Sequence, residues 1–275
     1  MTSEPEPRSH SALLEAYDAQ LRREAEVLTA TEVTHDGPLV RGRFERGGFV
    51  SYRDLGGLTG PSLDGLIRRT VGYFRDETDV ESFEWKTRGH DAPADLDEHL
   101  VAAGLRADPE ETVMIGEARA LAVPVEIPPG VTLRRLDPEA PGFAADAHRM
   151  TEMQQSVFGA GPSAEDLIGR LTRPGGVSEA WVAEVDGDVV CAGRIEVVPG
   201  TEFAGLWGGA THEEWRGRGI YRALVAARAG SAIVRGVRYL QSDCTEMSRP
   251  ILERSGLSRV TTTTPFVWQR DHTHA

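Results

Sequence analysis

The chain has 275 residues, 40% of them hydrophobic and 27% charged, a composition that excludes wholesale disorder and leaves room for two domains. The formal net charge of −13 sits mostly in residues 1–130, which carry 25 acids and 14 bases against 18 and 16 in the remainder. That balance excludes a nucleic-acid-binding first half, where clustered cations would be required.

No apolar run reaches the roughly 18 residues needed to cross a bilayer, and the start, MTSEPEPRSH, lacks the pattern of a signal peptide. The expectation is a soluble, cytoplasmic protein with no membrane partner. Cys191 and Cys244 are too few for a disulfide scaffold or a cysteine zinc site, so no metal is expected. There is one lysine, Lys86, and no asparagine, so arginine must supply any cationic contact.

Residues 1–10 read as a flexible tail. Leu13, Leu14, Tyr17, Leu21 and Ala25 recur at helical spacing and predict an amphipathic helix over 12–28. Strands are expected at 39–44 and 49–52, a helix at 63–74, a strand at 82–87, a helix at 94–103 and a strand at 112–116. The stretch LAVPVEIPPG, 121–130, holds three prolines and reads as a linker. A first domain over 11–120 and a second over 131–270 follow, with a tail at 271–275.

After the linker a strand is expected at 131–136 and helices at 143–157 and 164–171. Strands at 181–185 and 189–197 flank Asp186-Gly187, a hairpin turn. A strand at 203–211 precedes a helix at about 217–234. A strand at 237–243, a helix at 247–254 and two closing strands, 259–263 and 266–269, complete the chain. The fold class is therefore α/β (α+β), a mixed and mostly antiparallel sheet flanked by helices. In both halves a strand leads to an aspartate, and a helix then closes on a glycine 13 residues later: Asp91 to Gly104, and Asp243 to Gly256. Two readings stay open, a repeated domain or two ordinary glycine caps.

The stretch WRGRGIYRALV, 215–225, joins a strand to a long helix. Helix N-termini attract anions, glycines let backbone approach closely, and arginines add charge-assisted hydrogen bonds. A Walker A loop needs Gly-Lys-Ser/Thr, and the one lysine lies elsewhere. A dinucleotide fingerprint needs a glycine where Arg222 stands. Arg222 and Arg228 read as a solvated helix face.

Residues 131–270 resemble the GCN5-related N-acetyltransferase (GNAT) superfamily. The family's pyrophosphate signature, Arg/Gln-x-x-Gly-x-Gly/Ala, stands here as Arg216-Gly-Arg-Gly219-Ile-Tyr221, with tyrosine in place of the last small residue. The strand before it and the strand, loop and helix after it agree with the family's order. The first half, which shows no such cradle, is expected to be a degenerate copy, giving tandem GNAT-like domains.

The resemblance implies an acyl-CoA-dependent N-acyltransferase, with acetyl-CoA as donor and no metal. The acceptor is expected to be a primary amine of a small molecule or a peptide, attacking the thioester directly in a ternary complex. It places Arg216, Gly217, Arg218, Gly219, Ile220 and Tyr221 at the pyrophosphate, and Ala210 and Thr211 beside the pantetheine arm. Gly208-Gly209 would form a bulge that opens a slot for the thioester. The Tyr221 ring must either swing aside or cover the phosphates.

Asp243 is the first candidate for the base, with Glu196 and Glu202 weaker and His212 weaker still. Ser248 is a candidate for holding pantetheine or relaying a proton. The tyrosine that often protonates the departing thiolate is replaced by Leu252. The alternative reading is a non-catalytic acyl-CoA-binding protein with a partner-binding first domain.

Overall fold

The computed structural model describes residues 9–270. The tail expected over 271–275 and residues 1–8 lie outside the described residues, while Ser9 caps and His10 opens the first helix. In chain order the elements are α1 (His10–Gln20), a 3-10 turn (Arg23–Val27), β1 (Glu32–Asp36), β2 (Leu39–Phe44), β3 (Gly47–Ser51), α2 (Gly60–Asp76), β4 (Ser82–Arg88), α3 (Leu96–Ala102), β5 (Arg106–Ala107) and β6 (Glu111–Glu117). There follow α4 (Ala118–Leu121), β7 (Thr132–Arg135), α5 (Phe143–Phe158), α6 (Ala164–Leu171), β8 (Ser178–Val185), β9 (Asp188–Val197), β10 (Phe203–Thr211), a 3-10 turn (Glu213–Trp215), α7 (Ile220–Val234), β11 (Tyr239–Cys244), α8 (Arg249–Ser255) and β12 (Ser258–Gln269).

The described residues divide into two compact units. The first holds 9–113 with 243–249 and 259–270, and the second holds 114–242 with 250–258. These units do not coincide with the expected spans 11–120 and 131–270. The reason is β12, which pairs antiparallel with β4 (Phe266↔Trp85) and with β5. The stretch expected to be a free linker, 121–130, contributes Ile127 to the packing of the second unit.

In the first unit β1, β2 and β3 form an antiparallel meander, and α2 carries the chain across to β4, parallel to β3. Thr59 caps α2, and Leu63, Leu66, Ile67, Thr70, Tyr73 and Phe74 repeat at helical spacing on its buried side. Phe83 of β4 stacks between Phe74, with centroids 4.3 Å apart, and Trp268 of β12 at 5.5 Å. Pairing with β4 continues through Pro265, so one strand stands where two were expected.

The helix expected over 12–28 breaks after α1. Arg22 takes extended backbone (φ −106°, ψ 169°), and its guanidinium turns inward to Asp18 at 3.3 Å and Asp91 at 2.9 Å. Strand β1 has too polar a sequence for alternation to reveal it, and pairing with β2 around Gly37 forms it.

In the second unit β7, β8, β9 and β10 are antiparallel neighbours, and α7 leads to β11, parallel to β10. The predicted turn between β8 and β9 is present, with φ of 50° at Asp186 and 93° at Gly187. Helices α5 and α6 pack Met150, Met153 and Leu167 on Ala180, Val182 and Ala192 of the sheet. Helix α7 packs Ile220 and Leu224 against Ala183, Val190 and Cys191.

The two units thus share an order: an antiparallel run, a crossover helix, a strand parallel to the last of the run, and a short helix closed by a glycine. Gly104 and Gly256 end those short helices with φ of 92° and 106°.

Four charges tie α5 to the sheet in the second unit. Arg134 donates to Asp146 at 2.6 Å and to Glu184 at 2.6 and 2.8 Å, and Arg149 donates to the same two carboxylates. The hydrogen bond from Arg134 holds the Asp146 carboxyl below its ordinary range, against the opposing effect of burial. A carboxyl depressed in the folded state contributes stability above its unfolded pKa of about 3.9 and loses it as pH falls through the folded value. Asp146→Asn is therefore expected to cost about 1 kcal/mol at pH 7, and urea titrations should show the difference closing from about pH 4 downward.

Candidate functional site

Strand β10 is the centre of the candidate site. Its register with β9 runs Trp207↔Arg194 and then Ala210↔Ala192, so β10 carries one extra residue at Gly208-Gly209. This is a β-bulge, as expected, and Gly208 has φ +59°. The Gly208 carbonyl accepts from Gln154 Nε2 at 2.5 Å, which anchors the bulge to α5.

A side chain fits at neither glycine. A Cβ at 208 would lie 2.9 Å from Gln154 Nε2, and one at 209 would lie 2.5 Å from Tyr221 Oη. On its other side β10 pairs with β11 only over Phe203–Gly205. Beyond that the Ser242 hydroxyl donates to the Leu206 carbonyl at 3.1 Å. The backbone of β10 past the bulge is therefore free to pair with an extended ligand in the opening between the strands.

The strand leads through Glu213–Trp215 into a turn in which Gly217 and Gly219 take φ of 74° and 81°. Gly219 caps α7 without a side-chain hydrogen bond, and the first turn of α7 holds no acid. The N–H groups of Ile220 and Tyr221 stand at that end, with the positive end of a 15-residue helix behind them. Arg216 donates from Nε to the Thr211 carbonyl at 3.1 Å, and the Arg218 guanidinium lies 4.7 Å from the centre of the Trp215 ring. Both arginines are exposed, and neither has a carboxylate partner among the described residues. Such a turn can receive a diphosphate.

The expected residues separate into groups. Thr211, Arg216, Gly217, Arg218, Gly219, Ile220 and Tyr221 gather at the end of β10 and the start of α7. Ala210 shares β10 with them, but its side chain is buried in the core under α5, so only its backbone faces a ligand. Glu202 precedes β10 at its other end, roughly 30 Å from Thr211 at about 3.3 Å per residue. There its carbonyl accepts from Arg238 and Tyr239, and its carboxylate lies 3.7 Å from Arg238. The structure does not bring Glu202 to the slot. Glu196 is committed to Arg194 and Arg170 at 3.3 and 3.8 Å.

Asp243 and Ser248 group with the first unit. Asp243 is held by Lys86 at 2.5 Å, with side-chain exposures of 7% and 16%. The Asp243 charge is the largest favourable influence on the buried Lys86 ammonium, whose pKa rises although burial alone would lower it. Ser248 sits in the turn before α8, where its N–H donates to the Thr245 carbonyl at 3.0 Å.

One residue departs from the sequence reading. Arg228, expected on a solvated face, is fully buried. It lies four residues after Leu224 on the core side of α7 and donates to the Leu224 and Arg194 carbonyls at 3.3 and 2.9 Å. Gly193 leaves it room, since a Cβ there would lie 2.6 Å from the guanidinium. The Tyr221 ring turns inward over Gly209.

The first unit also holds more than its sequence suggested. Between β3 and α2 runs Arg53-Asp-Leu-Gly56-Gly57-Leu58, with the Arg-x-x-Gly spacing of Arg216 and Gly219 at the equivalent junction. The loop lines a cavity of about 300 Å³ together with His90 and Asp91. Gly56 does not cap the helix as Gly219 does, since α2 opens at Gly60 behind Thr59.

Comparisons with known proteins find a family match over part of the chain and solved structures of similar fold. Residues 147–252 match the model of the acetyltransferase (GNAT) family. The chain is similar to a GCN5-related N-acetyltransferase from Kribbella flavida, at 15% identity and a TM-score of 0.68, covering 96% of this chain and 97% of that one. It is also similar to a tandem GNAT protein from the clavulanic acid biosynthesis pathway (14% identity, TM-score 0.61, 98% of both chains). A third likeness is to a GCN5-related N-acetyltransferase from Sphaerobacter thermophilus (19% identity, TM-score 0.60, 84% and 76%). Among curated protein sequences none matches. At these identities the solved structures speak for the fold.

Proposed function

We propose that this chain, a tandem protein of the GNAT superfamily, moves an acetyl group from acetyl-CoA to a primary amine of a small molecule or peptide in its second unit. The observation that carries the reading is the combination on β10: a glycine bulge, an unpaired edge beyond Gly205, and a glycine-capped helix flanked by Arg216 and Arg218.

The diphosphate of the donor rests on the amides of 217–221 and draws the two guanidiniums. The pantetheine arm pairs with the backbone of Ala210 and Thr211. The N–H of Gly209 polarises the thioester carbonyl, so charge developing on that oxygen meets a fixed donor. The acceptor nitrogen attacks the carbonyl carbon, the C–S bond breaks, and CoA leaves. No helix is long and apolar enough to cross a membrane among the described residues, and a cytoplasmic site of action fits a donor made and consumed there.

Binding of acetyl-CoA by calorimetry tests the reading. Arg216→Ala and Arg218→Ala should each weaken it about tenfold, the scale of one charge-assisted hydrogen bond, and the difference should shrink at high salt. A wild-type protein that binds no acetyl-CoA would end the proposal. Binding without turnover on any amine would favour the non-catalytic reading, which the buried Leu252 makes a specific alternative.

A further inference from the structure

The bulge of β10 presents two faces. Gly209 lies under the Tyr221 ring, on the α7 side. Gly208 faces the other way, where a Cβ would lie 2.9 Å from Gln154 Nε2 of α5 and 3.2 Å from Arg194 Nη1 of β9. Arg194 stands directly across from Trp207 and Glu196 across from Gly205, so these side chains share one face of the sheet. It is the face under α5 and α6, since Ala192, two residues before Arg194, packs there. Gly193 points the opposite way, under Arg228 of α7. The Trp207 indole folds back along Gly205, where a Cβ would meet Nε1 at 2.3 Å.

The Arg194 side chain is 12% exposed. Its Nε donates to Glu196 Oε1 at 3.3 Å, and its two terminal nitrogens donate to no protein atom among the described residues. Neither of those nitrogens is sealed from solvent. A guanidinium held at one edge and open at the other matches the two oxygens of a carboxylate.

The charge around it favours an anion. Among the described residues Glu196 is the one carboxylate paired with Arg194, and it is shared with Arg170 at 3.8 Å. Arg228 donates to the Arg194 carbonyl at 2.9 Å, has no carboxylate partner among the described residues, and leaves its Nη2 buried without a hydrogen bond. Burial lowers the pKa of Arg194; Glu196 opposes that shift, and Arg170 and Arg228 add to it. Three guanidiniums thus stand around one carboxylate, and Arg194 has given up water that no described residue replaces.

We propose that Arg194 determines acceptor specificity by receiving a carboxylate on the acceptor, which is an amino acid with its amine turned to the thioester at the bulge. The assignment rests on the acetyl-transfer reading above and narrows its acceptor class. The donor's diphosphate lies at the start of α7, whereas Arg194 lies on the sheet face away from that helix, so donor and acceptor approach the bulge from different sides. The Trp207 indole supplies an apolar wall for the acceptor's side chain. A polyamine brings only cations to the three arginines and is repelled.

The test uses the full chain with saturating acetyl-CoA and follows release of CoA thiol. Acceptors are offered in pairs that differ only at the carboxylate: leucine and leucinamide, phenylalanine and phenylalaninamide, β-alanine and β-alaninamide. The amide's amine is the more easily deprotonated, so the comparison is weighted against the proposal. Wild-type kcat/KM should favour the acid of at least one pair about 30-fold, the scale of a charge-assisted contact. Arg194→Gln should reduce that preference below about threefold, while KM for acetyl-CoA stays within about twofold. A merely structural Arg194 would slow acid and amide alike and leave the ratio unchanged, and that result overturns the assignment. A wild type that acetylates amides or spermidine as well as it does the acids also overturns it and leaves acetyl transfer standing. A wild type that binds acetyl-CoA and transfers to none of these acceptors overturns both. If Arg194→Gln melts early, Arg194→Lys provides the second reading. It keeps the charge beside Glu196 but not the fork, so the acid preference should fall about tenfold; an unchanged preference overturns the assignment.

Discussion

Asp243→Asn should unfold well below the wild-type melting temperature. Lys86 and Asp243 are 2.5 Å apart, and both are largely sheltered from solvent. Removing the carboxylate leaves an ammonium in a sheltered site with its main counter-charge gone, a change that costs about 3–5 kcal/mol in comparable buried pairs. For a chain of this size that corresponds to roughly 10 °C. The double variant Lys86→Met/Asp243→Leu should recover most of the loss, because the cost lies in the orphaned charge and not in the absent attraction.

The pH dependence has a definite sign. The Lys86 pKa is raised in the folded protein. The contribution of the pair is therefore complete below the unfolded lysine value of about 10.4 and is lost only as pH climbs through the higher folded value. Scanning calorimetry of the single and double variants at pH 7 checks the ranking. Equal melting of Asp243→Asn and wild type, with kcat lost, would instead restore Asp243 to the role of base that its position at the end of β11 suggests.

That reversal shows where sequence stops informing. The strand order, the Asp186-Gly187 turn and the bulge at Gly208-Gly209 follow from local chemistry: alternation, positive φ, and residues without Cβ. The Arg216–Gly219 turn follows too, because its arginine and glycines are contiguous. Lys86 and Asp243, by contrast, are 157 positions apart, and no periodicity joins them.

Arg228 was misplaced for a related reason. The helix periodicity put it on the same side as Leu224, but its charge argued for solvent, and only the space above Gly193 resolves the conflict. The single strand β12 and the inward turn of Arg22 likewise depend on partners distant in sequence. The Arg53-x-x-Gly56 spacing is legible in the sequence, and Leu58 departs from the signature at the same place as Tyr221.

On the acetyl-transfer reading proposed above, Gly209→Ala should nearly abolish turnover while leaving most of the fold intact. A methyl there meets the phenol ring itself, at Oη, Cε2 and Cζ, and a ring cannot bend away as a flexible chain could. Either Tyr221 rotates off the bulge or the first turn of α7 retreats, and the second movement carries Gly219 and the diphosphate amides with it. Overpacking of this kind costs about 1–3 kcal/mol, and a displacement of about 1 Å at reacting groups costs about 100-fold in rate.

Gly230→Ala in the same helix is the control. A Cβ there meets nothing within 4 Å, so stability should be unchanged or gain up to about 1 kcal/mol. Tyr221→Ala added to Gly209→Ala removes the collision, so the two changes should couple by more than about 1 kcal/mol in stability. Tyr221→Phe added instead keeps the ring and should relieve nothing. The Gly209→Ala/Tyr221→Ala protein should therefore regain its melting temperature, and a melting temperature still depressed would show that the ring is not what the methyl meets.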